Sequence, residues 1–401
     1  MTGSLLAGVT VLDFTRVLAG PYCTRLMADL GARVLKVERP RDGDEMRRGY
    51  LQLEPGRDDQ STYFTRLNAG KRSVAIDLTT PRARAVVADL ARHADVVVEN
   101  FVPGIMARFG CDYPALAGVK PDLVYCSISG FGQTGPMRGR PAFAHIVNAI
   151  SGVMHLEQQE AAAPAVGYLQ TADVLAGTHA FGVILAALLR RGRTGAGAYL
   201  DVSMLEALVA AEDISMPSVL NGGAEYPGPR PGMVVHAVGG RYLALQTVGA
   251  PDLFPRLAAL LGPPDIRHDA RFTTPDARRA HWPLLRARIT GWLDTFKTVE
   301  DAVTALSAGR IPCAPVRSPE EVIADPHLQA RGAFTDVAHP ARGRVRISAV
   351  PFHVDGHGLV PAGPPPYRVG EHTRAVLAEV AGYDGARVDE LLALGVVAEA
   401  R

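Results

Sequence analysis

The residues best suited to chemistry in this sequence gather around one carboxylate. Asp173 stands at the mouth of an apolar helical pattern, in Gln170-Thr171-Ala172-Asp173-Val174-Leu175-Ala176-Gly177, which runs on through Phe181-Gly182-Val183-Ile184-Leu185. An Asp there can cap free backbone N–H groups. A carboxylate at the positive end of a helix, on the rim of an apolar wall, is equally suited to act as a nucleophile. Its sequence company favours the second reading.

The elements that must position it alternate between strand and helix. Val9–Phe14 reads as a short buried strand, 21–30 as a helix closed by Gly31, and Arg33–Glu38 as the next strand. A second round follows, with strands at 73–78, 96–100 and 123–128 and a helix at 81–91. This order predicts a doubly wound parallel sheet, whose ligands lie outside the carboxyl ends of its strands. Glu38-Arg39, Asn100-Phe101 and Ser129-Gly130-Phe131-Gly132 fall at those ends. No GxGxxG follows the first strand, which disfavours a dinucleotide redox fold.

Helical patterns at 173–190 and 204–214 lead to Asn221-Gly222-Gly223 and Pro227-Gly228-Pro229-Arg230-Pro231-Gly232, read as a flexible joint. The expected organisation is α/β: a large domain over 1–205, a linker over 206–229, a smaller α+β domain over 230–315, and a return over 316–401 whose residues 320–401 complete the large domain. At 401 residues two lobes are expected rather than one.

Charge is balanced, 42 Lys+Arg against 41 Asp+Glu, so the net field favours neither nucleic acid nor an anionic membrane. No run approaches roughly 18 unbroken apolar residues. Cys23, Cys111, Cys126 and Cys313 are far apart and form no metal-ligand pair, so no metal is expected and a reducing, cytoplasmic setting fits. The basic residues are mostly Arg, which suits phosphate forks and equally suits a GC-rich coding bias.

Several motifs together resemble the class III CoA-transferase family, of the CaiB/BaiF type, which includes the formyl-CoA transferases. They are Leu12-Asp13-Phe14-Thr15-Arg16-Val17-Leu18-Ala19-Gly20-Pro21, Leu30–Glu38, Asn68-Ala69-Gly70-Lys71-Arg72-Ser73, Asp95–Gly104, Ser129-Gly130-Phe131-Gly132, and Arg193–Gly197 leading to Asp201-Val202-Ser203. Gly370-Glu371-His372-Thr373 and Leu394-Gly395-Val396-Val397 match near the end. The resemblance implies that Asp173 attacks an acyl-CoA thioester, giving a mixed anhydride and then an aspartyl-CoA thioester. It implies CoA as a substrate with no tightly bound cofactor, a carboxylic acid as acceptor, and an interlocked homodimer. For CoA it points to Leu18 and Ala19, Arg39, Lys71, Arg72, Asn100, Phe101 and Arg108. The arginines are also readable as solvated surface charges.

The pattern departs from the family at two places. Formyl-CoA transferases carry Gln where this chain has Leu18, so transfer of a larger acyl group is expected. Their glycine-rich lid has no counterpart run; Asn221-Gly222-Gly223 and Val238-Gly239-Gly240 come nearest. Arg140, Arg16 and Arg47 are candidates for holding a second carboxylate on a dicarboxylic substrate. The alternative reaction on this fold is α-methylacyl-CoA racemisation, whose His and Asp pair falls on Phe143 and Ala144; His145, two residues on, could supply a base or line a pocket. His155 and His179 are further candidates to lie by Asp173. A CoA-binding protein without turnover is the remaining alternative, and the intact Asp173 speaks against it.

Overall fold

Near-continuous apolar runs become interior strands, because a strand covered by helices on both faces has no solvent side toward which to alternate. The computed structural model describes residues 4–158, 163–225 and 232–400. Six strands, β1 (Thr10–Asp13), β2 (Arg33–Glu38), β3 (Arg72–Ile76), β4 (Val96–Glu99), β5 (Val124–Ser129) and β6 (Ala198–Ser203), lie in the order β3-β2-β1-β4-β5-β6. Every pairing among them is parallel. A short strand, Val397–Ala398, adds antiparallel to the free edge of β3. The order reverses between β1 and β4, so the carboxyl ends of these two strands open the crevice.

Between the strands run α1 (Ala19–Asp29), α2 (Thr62–Asn68), α3 (Ala83–Ala91), α4 (Ile105–Phe109), α5 (Tyr113–Ala117), α6 (Ala144–Ile150), α7 (Val153–Leu156) and α8 (Thr171–Thr194). After β6 come α9 (Met204–Ala211) and α10 (Ser215–Leu220). Successive residues of a strand serve opposite faces. Leu12, Leu35 and Val97 pack under α3 and the helix Thr373–Ala381, whereas Val11, Val34 and Val96 pack under Cys23 and Met27 of α1 and Ala172, Ala176, Ala180 and Ile184 of α8.

By length and composition α8 could cross a membrane, contrary to the expectation from unbroken apolar runs. Gly177, Thr178 and His179 interrupt such a count without interrupting the helix. The inner face of α8 is buried in the sheet's core. Its backbone meets α1 so closely that a Cβ on Gly177 would lie 2.4 Å from the carbonyl oxygen of Ala19.

Residues 206–225 correct the expected linker: α9 and α10 lie there, and Ala207 and Leu208 are buried with the large unit's core. The Pro-Gly run at 226–231 lies outside the described residues. Among the described residues, 4–156, 163–225 and 326–400 form one compact unit, and 157–158 with 232–325 a second. In the second, β7 (Met233–Val238), β8 (Arg241–Gln246) and β9 (Cys313–Pro315) make an antiparallel sheet. Helices α11 (Leu253–Leu260), α12 (Pro275–Ala280), α13 (Trp282–Leu293) and α14 (Val299–Ala308) accompany it, and Leu243, Leu257, Ile289 and Leu306 centre its core.

Candidate active site

Asp173 is the third residue of α8, placed among that helix's unshared N–H groups, and it is 9% exposed. The capping position itself belongs to Gln170, whose side chain makes no capping bond. Burial pushes the Asp173 carboxyl up to about 6; the Ala19 backbone N–H, the charge of nearby His145 and Asp173's own N–H pull the other way. Ala19 opens α1, so the amino ends of two helices serve one carboxylate. The group is thus mostly ionised at pH 7 yet poorly hydrated, the state a carboxylate nucleophile needs.

The turn that presents Ala19 is over-determined. Val17 holds φ 68°, a left-handed conformation costly for a β-branched residue. Around it, Asp13 accepts the Thr15 N–H at 2.9 Å, Lys36 Nζ donates to the Thr15 carbonyl at 2.8 Å, and Asp44 accepts the Val17 N–H at 3.3 Å. The Asn100 amide takes the Arg16 N–H and donates to the Arg16 carbonyl, both at 2.8 Å. These side chains are anchored by ion pairs closed to solvent: Lys71–Asp13 at 3.0 Å, Lys36–Asp44 at 2.9 Å and Arg47–Glu38 at 2.7 Å. Burial disfavours the charged forms of Asp13, Glu38, Lys36 and Lys71. Lys71 and Lys36 hold Asp13 below the usual carboxylate range, and Arg47 holds Glu38 at about 2. Burial draws Lys71 down to about 8, against the pull of Asp13.

This lattice corrects several sequence expectations. Lys71 is buried and also donates to Thr24 Oγ1 at 2.7 Å and the Pro21 carbonyl at 3.1 Å, so it cannot reach a phosphate. Arg47 is closed to solvent against Glu38 and cannot meet a substrate carboxylate. Arg72 is engaged by Glu379 at 2.6 Å. Asn100 spends both ends of its amide on the Arg16 backbone, and its role is to hold the turn. Arg16 pairs with Glu45 and lies over the Phe101 ring at 4.9 Å. Leu18 is buried at the start of α1 and offers backbone only.

The remaining cations stay open to solvent. Arg39, after β2, is exposed and pairs loosely with Asp42 at 3.2 Å. Arg108 on α4 is exposed with no ion-pair partner among the described residues. Arg140 is exposed, and among the described residues its side chain hydrogen-bonds Met137 Sδ at 3.5 Å. His155 pairs with Glu225 at 3.2 Å, and His179 turns to the Leu175 carbonyl of its own helix at 2.8 Å. His145 on α6 is the histidine that reaches Asp173 electrostatically.

The sequence reading missed three contributors. Tyr63 on α2 feels the Asp173 charge; burial pushes its phenol up to about 12 against the pull of Arg66, and its ring stacks on Tyr50 at 4.7 Å. Glu99, beside Asn100, accepts the Phe101 N–H at 2.8 Å, and burial pushes its carboxyl up to about 7. Asn148 on α6 is 5% exposed with Oδ1 unpartnered. Among the described residues no three His, Cys, Asp or Glu side chains gather to hold a metal.

Residues 6–373 match the sequence model of CoA-transferase family III. Succinate–glutarate CoA-transferase of Agrobacterium fabrum is 35% identical over 94% of this chain and 95% of its own length. Succinyl-CoA:glutarate CoA-transferase of Mus musculus is 33% identical, covering 98% and 90%. The crystal structure of a CaiB/BaiF family protein from Brucella suis superposes with a TM-score of 0.79 at 30% identity, covering 94% of this chain and 99% of that one.

Proposed function

Since this chain belongs to CoA-transferase family III, we propose that it moves CoA between an acyl-CoA thioester and a carboxylic acid, with Asp173 as the covalent carrier. The observation that carries this reading is a buried carboxylate served by the amino ends of α8 and α1. The Asp173 carboxylate attacks the thioester carbonyl; the C–S bond breaks and CoA leaves as thiolate, giving an acyl-aspartyl anhydride. The thiolate then attacks the aspartyl carbonyl, releasing the first acid and leaving an aspartyl-CoA thioester. An incoming carboxylate displaces the thiolate, which attacks the new acyl carbonyl and restores Asp173. The Ala19 N–H stabilises Asp173 as an anion and would serve equally the oxyanions formed at its carbonyl.

Arg39, Arg108 and Phe101 would hold CoA at the β1/β4 crevice. Relatives named for succinyl-CoA and glutarate favour short dicarboxylic acids as the acyl groups. Phe143, Ile146 and Ile150 on α6 are 69%, 54% and 42% exposed, an apolar face suited to a second copy in a homodimer. The free cysteines suit a reducing compartment such as the cytoplasm.

Intact protein mass after incubation with a panel of acyl-CoAs in D2O, wild type beside Asp173→Ala, tests the reaction. An acyl or CoA adduct is expected in the wild type and not in the variant. His145 beside Asp173 is the observation that favours the second reading, racemisation. No adduct, with deuterium at the α-carbon of the recovered thioester, would establish that reading and overturn the transferase.

A further inference from the structure

Buried polar atoms without partners are uncommon in native proteins, since each forfeits about 1–3 kcal/mol of lost hydration. Two of them lie together on α6. Among the described residues His145 Nδ1 has no hydrogen-bond partner, and one helical turn further Asn148 Oδ1, on a side chain 5% exposed, has none either. Residues three apart on a helix share a face, and His145 is near enough to Asp173 to act on its charge. Ala144 and Val147 anchor the same helix in the core beside Ala172 and Ala176 of α8, which fixes its placement against the start of α8. His145 itself is half-buried, whereas Asn148 lies behind the surface at 5% exposure.

We infer that His145 and Asn148 are specificity-determining residues that receive the second carboxylate of a short dicarboxylic acyl group while its first carboxyl reacts at Asp173. This rests on the transferase reading. An imidazole N–H and an amide N–H offer donors to one carboxylate, and a turn of the amide about its last bond presents Nδ2 where Oδ1 now points. The exposed Arg140, hydrogen-bonded to Met137 Sδ, is the competing group for that role.

The test compares succinyl-CoA with butyryl-CoA, which has the same chain length and no second carboxylate, in wild type, His145→Ala, Asn148→Ala and Arg140→Ala. Hydrogen bonds to a charged group are worth about 1.5–3 kcal/mol, roughly 10- to 100-fold. The His145 and Asn148 variants should each lower kcat/KM for succinyl-CoA, chiefly through KM, by at least about tenfold more than for butyryl-CoA; His145→Ala also removes a charge that favours ionised Asp173, so a smaller common loss on both thioesters accompanies it. Equal losses on both thioesters, no loss, or a loss of discrimination in Arg140→Ala instead would overturn the assignment. Calorimetric binding of free succinate and butyrate keeps the question decidable if a variant misfolds or no turnover is found. Succinate should bind the wild type at least about tenfold more tightly than butyrate and shift the His145 ring resonances; equal binding without that shift overturns the pair's role. Failure of the wild type to form any adduct removes the transferase reading alone.

Discussion

At the scale of single residues, the site depends on charges held where water does not reach them. In the proposed reaction the Asp173 carboxyl, raised by burial to about 6, would have to be ionised to attack. Adduct formation should therefore fall about tenfold per pH unit below 6 and level off above 7; rapid-quench mass spectrometry from pH 4.5 to 8 would show this, and a flat profile would exclude Asp173 as the titrating nucleophile. Arg47 and Arg72 make opposite predictions despite equal formal charge. Removing Arg47 leaves Glu38 alone in the interior, so Arg47→Met should cost about 3–5 kcal/mol, and Arg72→Met, at a partly exposed pair, about 0–1 kcal/mol. Urea midpoints at pH 7 would separate them, and equal shifts would deny the lattice its role. The Arg47–Glu38 pair should also weaken in acid. Glu38 is held at about 2, below its ordinary 4.5, so its contribution is present above pH 4.5 and is lost as pH falls toward 2. Sequence motifs singled out Asp173 but not the partners of Lys71, Arg47 and Asn100. A basic residue beside a strand looks the same whether it faces a phosphate or an aspartate brought in by a neighbouring strand.

At the scale of elements, the approach of α8 to α1 sets the distance between Asp173 and the Ala19 N–H. Gly177 permits that approach, while Gly182 on the same helix has nothing within 4 Å of where a Cβ would stand. Gly177→Ala should push the helices apart, lowering the melting temperature and slowing adduct formation at least about tenfold. Gly182→Ala, free of that conflict, should stabilise the protein by roughly 0.5–1 kcal/mol. Thermal melts paired with adduct rates would read both, and like behaviour would mean the contact does not position the site. The parallel strands were legible because burial on both faces leaves an unbroken apolar signature. Short helices were not. The seven residues of α6 turn Ile146 and Ile150 outward, as does Phe143 at its N-cap, so polarity gave no inner face to find. The same blindness hid Asn148 and left His145 as one of several histidines.

At the scale of the whole molecule, the exposed apolar face of α6 makes a prediction about assembly. Multi-angle light scattering should give twice the chain's mass, and Phe143→Glu with Ile146→Lys should shift the protein toward monomer; a wild type that runs as a monomer would leave that face without the proposed occupant. The sequence order of elements implied a doubly wound sheet, and the strand order matches it, because handed crossovers allow few alternatives. What could not be read is pairing across long separations, such as Arg72 with Glu379. Closure of the sheet edge is the extreme case. Val397 pairs with Ile76, roughly three hundred residues earlier. During synthesis at about 5–20 residues per second, the edge of β3 therefore waits roughly 15–60 s for its last partner. An unpaired edge is a template for other chains, so nascent copies on neighbouring ribosomes are the ones most exposed to mispairing. Slowed translation of the second unit should send more of this protein to chaperones than the stability of the finished fold would suggest.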